Sequence, residues 1–205
     1  MSYLTEKTIE ELLGYGFFIP ADQIGHGWIQ RQITELLDGV NSYRPTRIEG
    51  TDKITWYCMR PIIVKEFDET DKQKLKLSGK WYEVLDGQQQ LTSISLIIRY
   101  ANEMWIGEEK SHVFKIKYGI RDPNSEFLQH QKINEIINEV NIDYDCINFS
   151  YISTAFITIH KWVKNQTQDF NIPNFLCKFK NYSKVIWYEV TSEKDFDNFI
   201  VKVNT

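Results

Sequence analysis

Between Trp81 and Thr92 an apolar run, Trp81-Tyr82-Glu83-Val84-Leu85, passes through Asp86-Gly87-Gln88-Gln89 into Gln90-Leu91-Thr92 and an amphipathic segment. A polar turn between a strand and a helix is a common way to build an anion site. Backbone N–H groups at a helix start, together with the positive end of its dipole, attract phosphate, and Gly87 lets the backbone approach a ligand closely. The same residues also make an ordinary strand-to-helix connection in which Asp86 or Gln88 only caps the helix. The turn taken alone leaves both open.

The elements around this turn must hold it. After it, Leu91, Ile94, Ile98 and Ala101 recur at helical spacing, with Ile97 beside them, which predicts a helix from about Gln89 to Met104 anchored by its apolar side. Upstream, Thr5 or Thr8 before Ile9, Leu12 and Leu13 predicts an opening helix stopped by Gly14 and Gly16. Phe17-Phe18-Ile19-Pro20 reads as extended, and Trp28, Ile29, Ile33, Leu36, Leu37 and Val40 as a second helix. Residues 54–67 read as two short strands or one bent edge strand interrupted by Pro61, and Asp68–Lys80 as a solvated hairpin loop carrying Lys72, Lys74, Lys76 and Lys80. Alternation over His112–Arg121 predicts a half-buried strand.

From Ser125 onwards the pattern is mainly helical. Phe127, Leu128, Ile133, Ile136, Ile137 and Val140 mark one helix, Ile152, Ala155, Phe156, Ile159, Trp162 and Val163 another, and Phe175, Leu176 and Phe179 a short third. Val185–Val190 is apolar on both faces and predicts a covered strand. Ser192 and Asp195 then form a variant capping box before Phe196, Phe199, Ile200 and Val203.

Composition narrows the classes. The 205 residues, 42% hydrophobic and 14% aromatic, suffice for a folded core. With 24 lysines and arginines against 28 acidic residues the net charge is -4, so any DNA contact is a local patch and not a global field. Cys58, Cys146 and Cys177 are odd in number and widely spaced, which fits a reducing cytoplasm better than a disulfide framework. No run of about eighteen apolar residues suggests membrane insertion. His26, His112, His130 and His160 form no metal-binding spacing, so no metal site, zinc or haem is indicated.

The Asp86-Gly87-Gln88-Gln89-Gln90-Leu91-Thr92-Ser93 segment resembles the D-G-Q-Q-R-L-T-T motif of the ParB/sulfiredoxin-like domain at the N-terminus of GmrS-type and SspE-type phage-restriction proteins. A second family block, I-P-x-Y-Q-R-x-Y-x-W followed by a helix ending L-L-D-D, is similar to Ile19-Pro20, Gln23, Trp28, Ile33 and Leu36-Leu37-Asp38 without a gap. Arg60-Pro61-Ile62-Ile63-Val64-Lys65 resembles the family's Q-P-I-V-V-K strand, and Val185-Ile186-Trp187-Tyr188-Glu189-Val190 its late core strand. The sequence departs from the motifs at both arginines, which are Gln90 and Ile24 here, and the two tyrosine positions carry Asp22 and His26. The family continues F-x-x-x-N-[ST]-G-K-x-x-L, whereas this sequence stops at Asn204-Thr205, which reads as a truncation.

The resemblance implies an α/β fold, with a small mixed sheet and helices in residues 1–121 and a mainly helical part in 122–205 that returns one strand. It also implies binding and hydrolysis of a nucleoside triphosphate with magnesium, coupled to a DNA nuclease domain further along a complete chain. Asp86, Gly87, Gln88, Gln89, Gln90 and Thr92, with Gln23 and Trp28, are the nucleotide-binding positions that carry over. Asp86 and Gln89 are the catalytic candidates: Asp86 to hold magnesium or orient water, Gln88 and Gln89 to read a base or polarise a phosphoryl oxygen, Thr92 and Ser93 to offer hydroxyls. Gln90 cannot neutralise charge and Ile24 cannot even hydrogen-bond, so Arg31, Arg60, Lys65 or Arg99 must compensate if hydrolysis survives. A degenerate domain that senses a nucleotide, DNA or a partner without hydrolysis is the competing reading. A purely structural domain is a third.

Overall fold

A computed structural model describes residues 3–20, 30–104, 110–119 and 147–191, and the structural statements below concern these residues. They form, in chain order, β1 (Tyr3–Thr8), α1 (Ile9–Leu12), β2 (Gly16–Ile19), α2 (Gln30–Ser42), β3 (Tyr57–Cys58), β4 (Ile62–Glu66), α3 (Glu69–Lys74), β5 (Trp81–Asp86), α4 (Gln88–Met104), β6 (Lys115–Tyr118), α5 (Ile147–Lys164), α6 (Ile172–Tyr182) and β7 (Ser183–Glu189). The strands make one mixed sheet in the order β1-β7-β4-β5-β2-β6, with β3 also beside β7. The fold is α/β.

Period-two patterning decides which face of the sheet is buried. Phe17 and Ile19 of β2, Ile62 and Val64 of β4, Tyr82 and Val84 of β5, and Val185 and Trp187 of β7 all join one core cluster. Helices cover that face: Ile33, Leu36, Leu37 and Val40 of α2, Leu91, Ile94 and Ile98 of α4, Phe156, Ile159 and Trp162 of α5, and Phe175 and Phe179 of α6 belong to the same cluster. Leu91, Ile94 and Ile98 are each fully buried, and each such side chain contributes about 1.5–3 kcal/mol of burial free energy. That anchoring fixes the start of α4. Buried polar tips find partners across helices, as where the Trp162 indole donates to Asp38 Oδ1 at 2.7 Å.

Three expectations change. The helix begins at Thr8, whose Oγ1 accepts the Glu11 N–H at 3.2 Å while Glu11 Oε2 accepts the Thr8 N–H at 2.6 Å, so Thr5 lies in strand β1 instead. Residues 68–80 are not a bare hairpin loop. Asp68 accepts the Asp71 N–H at 2.8 Å and starts α3, where Lys72 pairs with Glu69 at 2.9 Å and Lys74 with Asp71 at 3.2 Å. Within the described part of His112–Arg121, residues 112–119, the strand covers Lys115–Tyr118 and begins later than expected.

The apolar Val185–Val190 segment does lie inside the sheet, its strand β7 running between β1 and β4. β7 is antiparallel to β1 and parallel to β4. The helices expected over residues 125–140 and after Ser192 lie outside the described residues, as does the boundary placed near residue 121. Among the described residues no helix is long and apolar enough to cross a membrane.

Candidate functional site

β2 pairs in parallel with both β5 and β6, so the three strands point the same way and their C-terminal ends share one edge of the sheet. Ile19-Pro20, Asp86-Gly87 and Tyr118-Gly119 stand at that edge, with Gly119 N–H donating to the Ile19 carbonyl at 2.8 Å. In open α/β sheets, ligands gather outside the carboxyl ends of parallel strands.

The turn after β5 has a conformation that its sequence requires. Gly87 adopts φ +91°, and a Cβ built on it would lie 3.0 Å from Ile62 Cγ1 and 3.1 Å from both Ile62 Cα and the Pro61 carbonyl oxygen. Only glycine combines that φ with so close an approach to the β4 backbone. The Gly87 N–H donates to Asp86 Oδ1 at 2.7 Å, and its carbonyl accepts the Leu91 N–H at 3.0 Å, so α4 opens directly from the turn. Asp86 is exposed, and its carboxylate makes no other hydrogen bond or ion pair among the described residues. Its carboxylate therefore supports the turn through one oxygen and presents the other to solvent.

The expected site residues diverge from here around α4. Gln88 and Thr92 lie one turn apart, Thr92 Oγ1 donating to the Gln88 carbonyl at 2.9 Å and standing 3.3 Å from the Tyr118 hydroxyl. Gln89 is half-buried. Ser93 is only 4% exposed, so its hydroxyl belongs to the interior and not to the mouth of the turn.

Gln90, about 200° round the helix from both Gln88 and Thr92, is 2% exposed and donates Nε2 to the Arg60 carbonyl at 2.8 Å. It lines a separate cavity of about 150 Å³ with Gln32, Glu35, Tyr57, Cys58 and Arg60. Burial there pushes the Tyr57 hydroxyl up from its ordinary pKa, with Cys58 and Glu35 adding to the effect. Gln23, Trp28 and Ile24 lie outside the described residues.

Of the four cations that were candidates to replace the missing arginines, Arg31 is an exposed partner of Glu35 at 3.2 Å. Arg60 is exposed at the cavity, Lys65 is half-buried on β4, and Arg99 is half-buried on α4. Sequence reading missed Tyr118 as a neighbour of Thr92, and the Glu35–Tyr57–Arg60 lining as the surroundings of Gln90. Nothing in the local pattern marks them, because both contacts join segments far apart in the chain. A wide groove of about 620 Å³, lined by Pro45, Arg47, Ile54, Cys177, Lys178 and Tyr182 among others, includes none of the turn residues. Among the described residues no group of three or more His, Cys, Asp or Glu is placed to hold a metal ion.

In comparison with known proteins, residues 4–205 match the family model described as "GmrSD restriction endonuclease, N-terminal domain". No curated protein matches the chain.

Proposed function

The chain belongs to the GmrSD restriction endonuclease N-terminal domain family, and we propose that it is the nucleoside triphosphate-binding module of a modification-dependent DNA restriction or anti-phage protein. The observation that carries the reading is the glycine turn at φ +91° that opens α4 at the shared C-terminal edge of β2, β5 and β6. That edge combines a helix start with an exposed carboxylate at the C-terminal ends of parallel strands, where a phosphate chain can be held. The Asp86 carboxylate suits magnesium, which is commonly held by one or two carboxylates together with phosphate oxygens and water. Magnesium bound there supplies charge neutralisation to the phosphate oxygens. The protein's part is to orient the chain of phosphates along α4, with Gln89 beside the reacting end.

A second reading, binding without hydrolysis, draws support from Gln90. Its amide is neutral and already committed to the Arg60 carbonyl, which leaves less charge for a transition state than an arginine would. Titration and turnover measured with adenosine and guanosine triphosphates and magnesium separate the two. We expect Asp86→Ala to weaken triphosphate binding at least tenfold. Wild-type turnover lost in Asp86→Ala establishes the enzyme, binding without turnover establishes the sensor, and no binding by the folded wild type rejects both.

DNA recognition in this reading belongs to the complete protein. The lysines of the 68–80 segment are largely consumed in ion pairs, Lys72 with Glu69, Lys74 with Asp71 and Lys80 with Glu66, and the net charge is -4. This chain is expected to bind unmodified duplex weakly, with affinity falling steeply as salt rises. A tight complex persisting at ~0.2 M salt in a filter-binding or anisotropy assay contradicts that expectation.

A further inference from the structure

Arg99 sits on α4, where no described residue balances its charge. Its guanidinium is half-buried, and among the described residues its one hydrogen bond is from Nε to Ser95 Oγ at 3.3 Å and it forms no ion pair. By contrast, Arg31 and Arg47 pair with Glu35 and Asp52, and Arg44 donates to the carbonyls of Asn41 and Tyr43. A guanidinium withdrawn from water without a counter-charge is costly, yet it stays charged. Burial lowers the Arg99 pKa, an effect the nearby Tyr118 partly opposes. This imbalance is what a bound anion relieves.

The position of Arg99 relative to the turn indicates the kind of anion. Gln88, Thr92, Ser95 and Arg99 follow one another at spacings of four, three and four residues and so share one face of α4. Thr92 is within 3.3 Å of the Tyr118 hydroxyl, which adds the end of β6 to the same stripe. Long helical side chains lean toward the N-terminus, and the bond to Ser95 shows Arg99 doing so. At a rise of 1.5 Å per residue, about 10 Å of helix separates Gln88 from Ser95. Ser95 is itself only 1% exposed, so it holds the guanidinium and lines no path. A chain of phosphates running from the turn past the Thr92 and Tyr118 hydroxyls toward Arg99 spans the distance, whereas one phosphate at the turn does not.

We infer that Arg99 is the second anchor of a polyphosphate whose first anchor is the Asp86–Gln89 turn. This rests on the nucleotide-binding reading. The test is calorimetric titration of wild type, Arg99→Met and Arg99→Lys with adenosine and guanosine tri- and monophosphates in magnesium at fixed ionic strength, with the melting temperature of each unliganded protein. Arg99→Met is expected to lose at least tenfold in triphosphate affinity and less than twofold in monophosphate affinity, with Arg99→Lys in between and no drop in melting temperature. If Arg99→Met does not fold, Arg99→Gln carries the same expectation.

Triphosphate binding equal to wild type in the folded variant overturns the role of Arg99 and leaves the turn intact as a site. Equal losses for tri- and monophosphate also overturn it, because they report general damage and not a lost second anchor. A wild type that binds neither nucleotide class removes the nucleotide reading, and the inference falls with it.

Discussion

Gly87→Ala is expected to destabilise the fold by roughly 1–3 kcal/mol from backbone strain alone, and to disable the turn as an anion site. Two effects act together. At φ +91° an L-residue is strained wherever it sits, and the added Cβ would meet Ile62 Cα and the Pro61 carbonyl oxygen at 3.1 Å. Those are backbone atoms of the chain entering β4, so they cannot swing aside as the tip of a flexible side chain would. Relief must come from moving the turn, which carries the first turn of α4 with it. Gly14→Ala is the matched control: its Cβ has nothing within 4 Å and its φ is not positive, so its midpoint should shift little. Urea unfolding at constant m-value checks both. If the two variants unfold at the same midpoint, the Gly87 conformation does not constrain the turn.

Gly87 is also where the sequence was most legible. The residue type, an apolar strand before it and a helical stripe after it each point to the same turn, and these are local signals. Strand alternation and helix periodicity likewise located β5, α2, α4, α5 and α6, because burial imposes those periods on side chains close in sequence. β1 was hidden for the opposite reason. Tyr3–Thr8 is mostly exposed and shows no alternation, and it is a strand because β7 offers its backbone groups for pairing about 180 residues away. Within the site, spacing placed Gln90 beside Gln89 but did not show which flank of α4 would face β4 and which β6. Tertiary packing decides that, through bonds such as Gln90 to Arg60 and Thr92 to Tyr118.

The flank that Gln90 occupies makes its replacement informative in two directions. Gln90→Leu keeps the bulk and removes the donor, leaving the Arg60 carbonyl without its partner. An unsatisfied buried acceptor costs about 1–3 kcal/mol, and the adjoining 150 Å³ polar cavity has room for a water to take the donor's place, so the low end of that range is expected. Gln90→Arg restores the residue found in the related motif and keeps a donor for Arg60. Its guanidinium would enter the cavity that Glu35 and Arg60 line, on the side of α4 away from Thr92 and Tyr118. Glu35 attracts it, Arg60 repels it, and the net change in stability should stay within about 1 kcal/mol. Triphosphate affinity should then remain within twofold of wild type, since the new charge is drawn away from the stripe on which Arg99 lies. Titration of the folded Gln90→Arg chain decides the matter. A tenfold gain in affinity would mean that the arginine reaches round Pro61 to the turn, making position 90 a phosphate ligand and not the tie between α4 and the entry to β4.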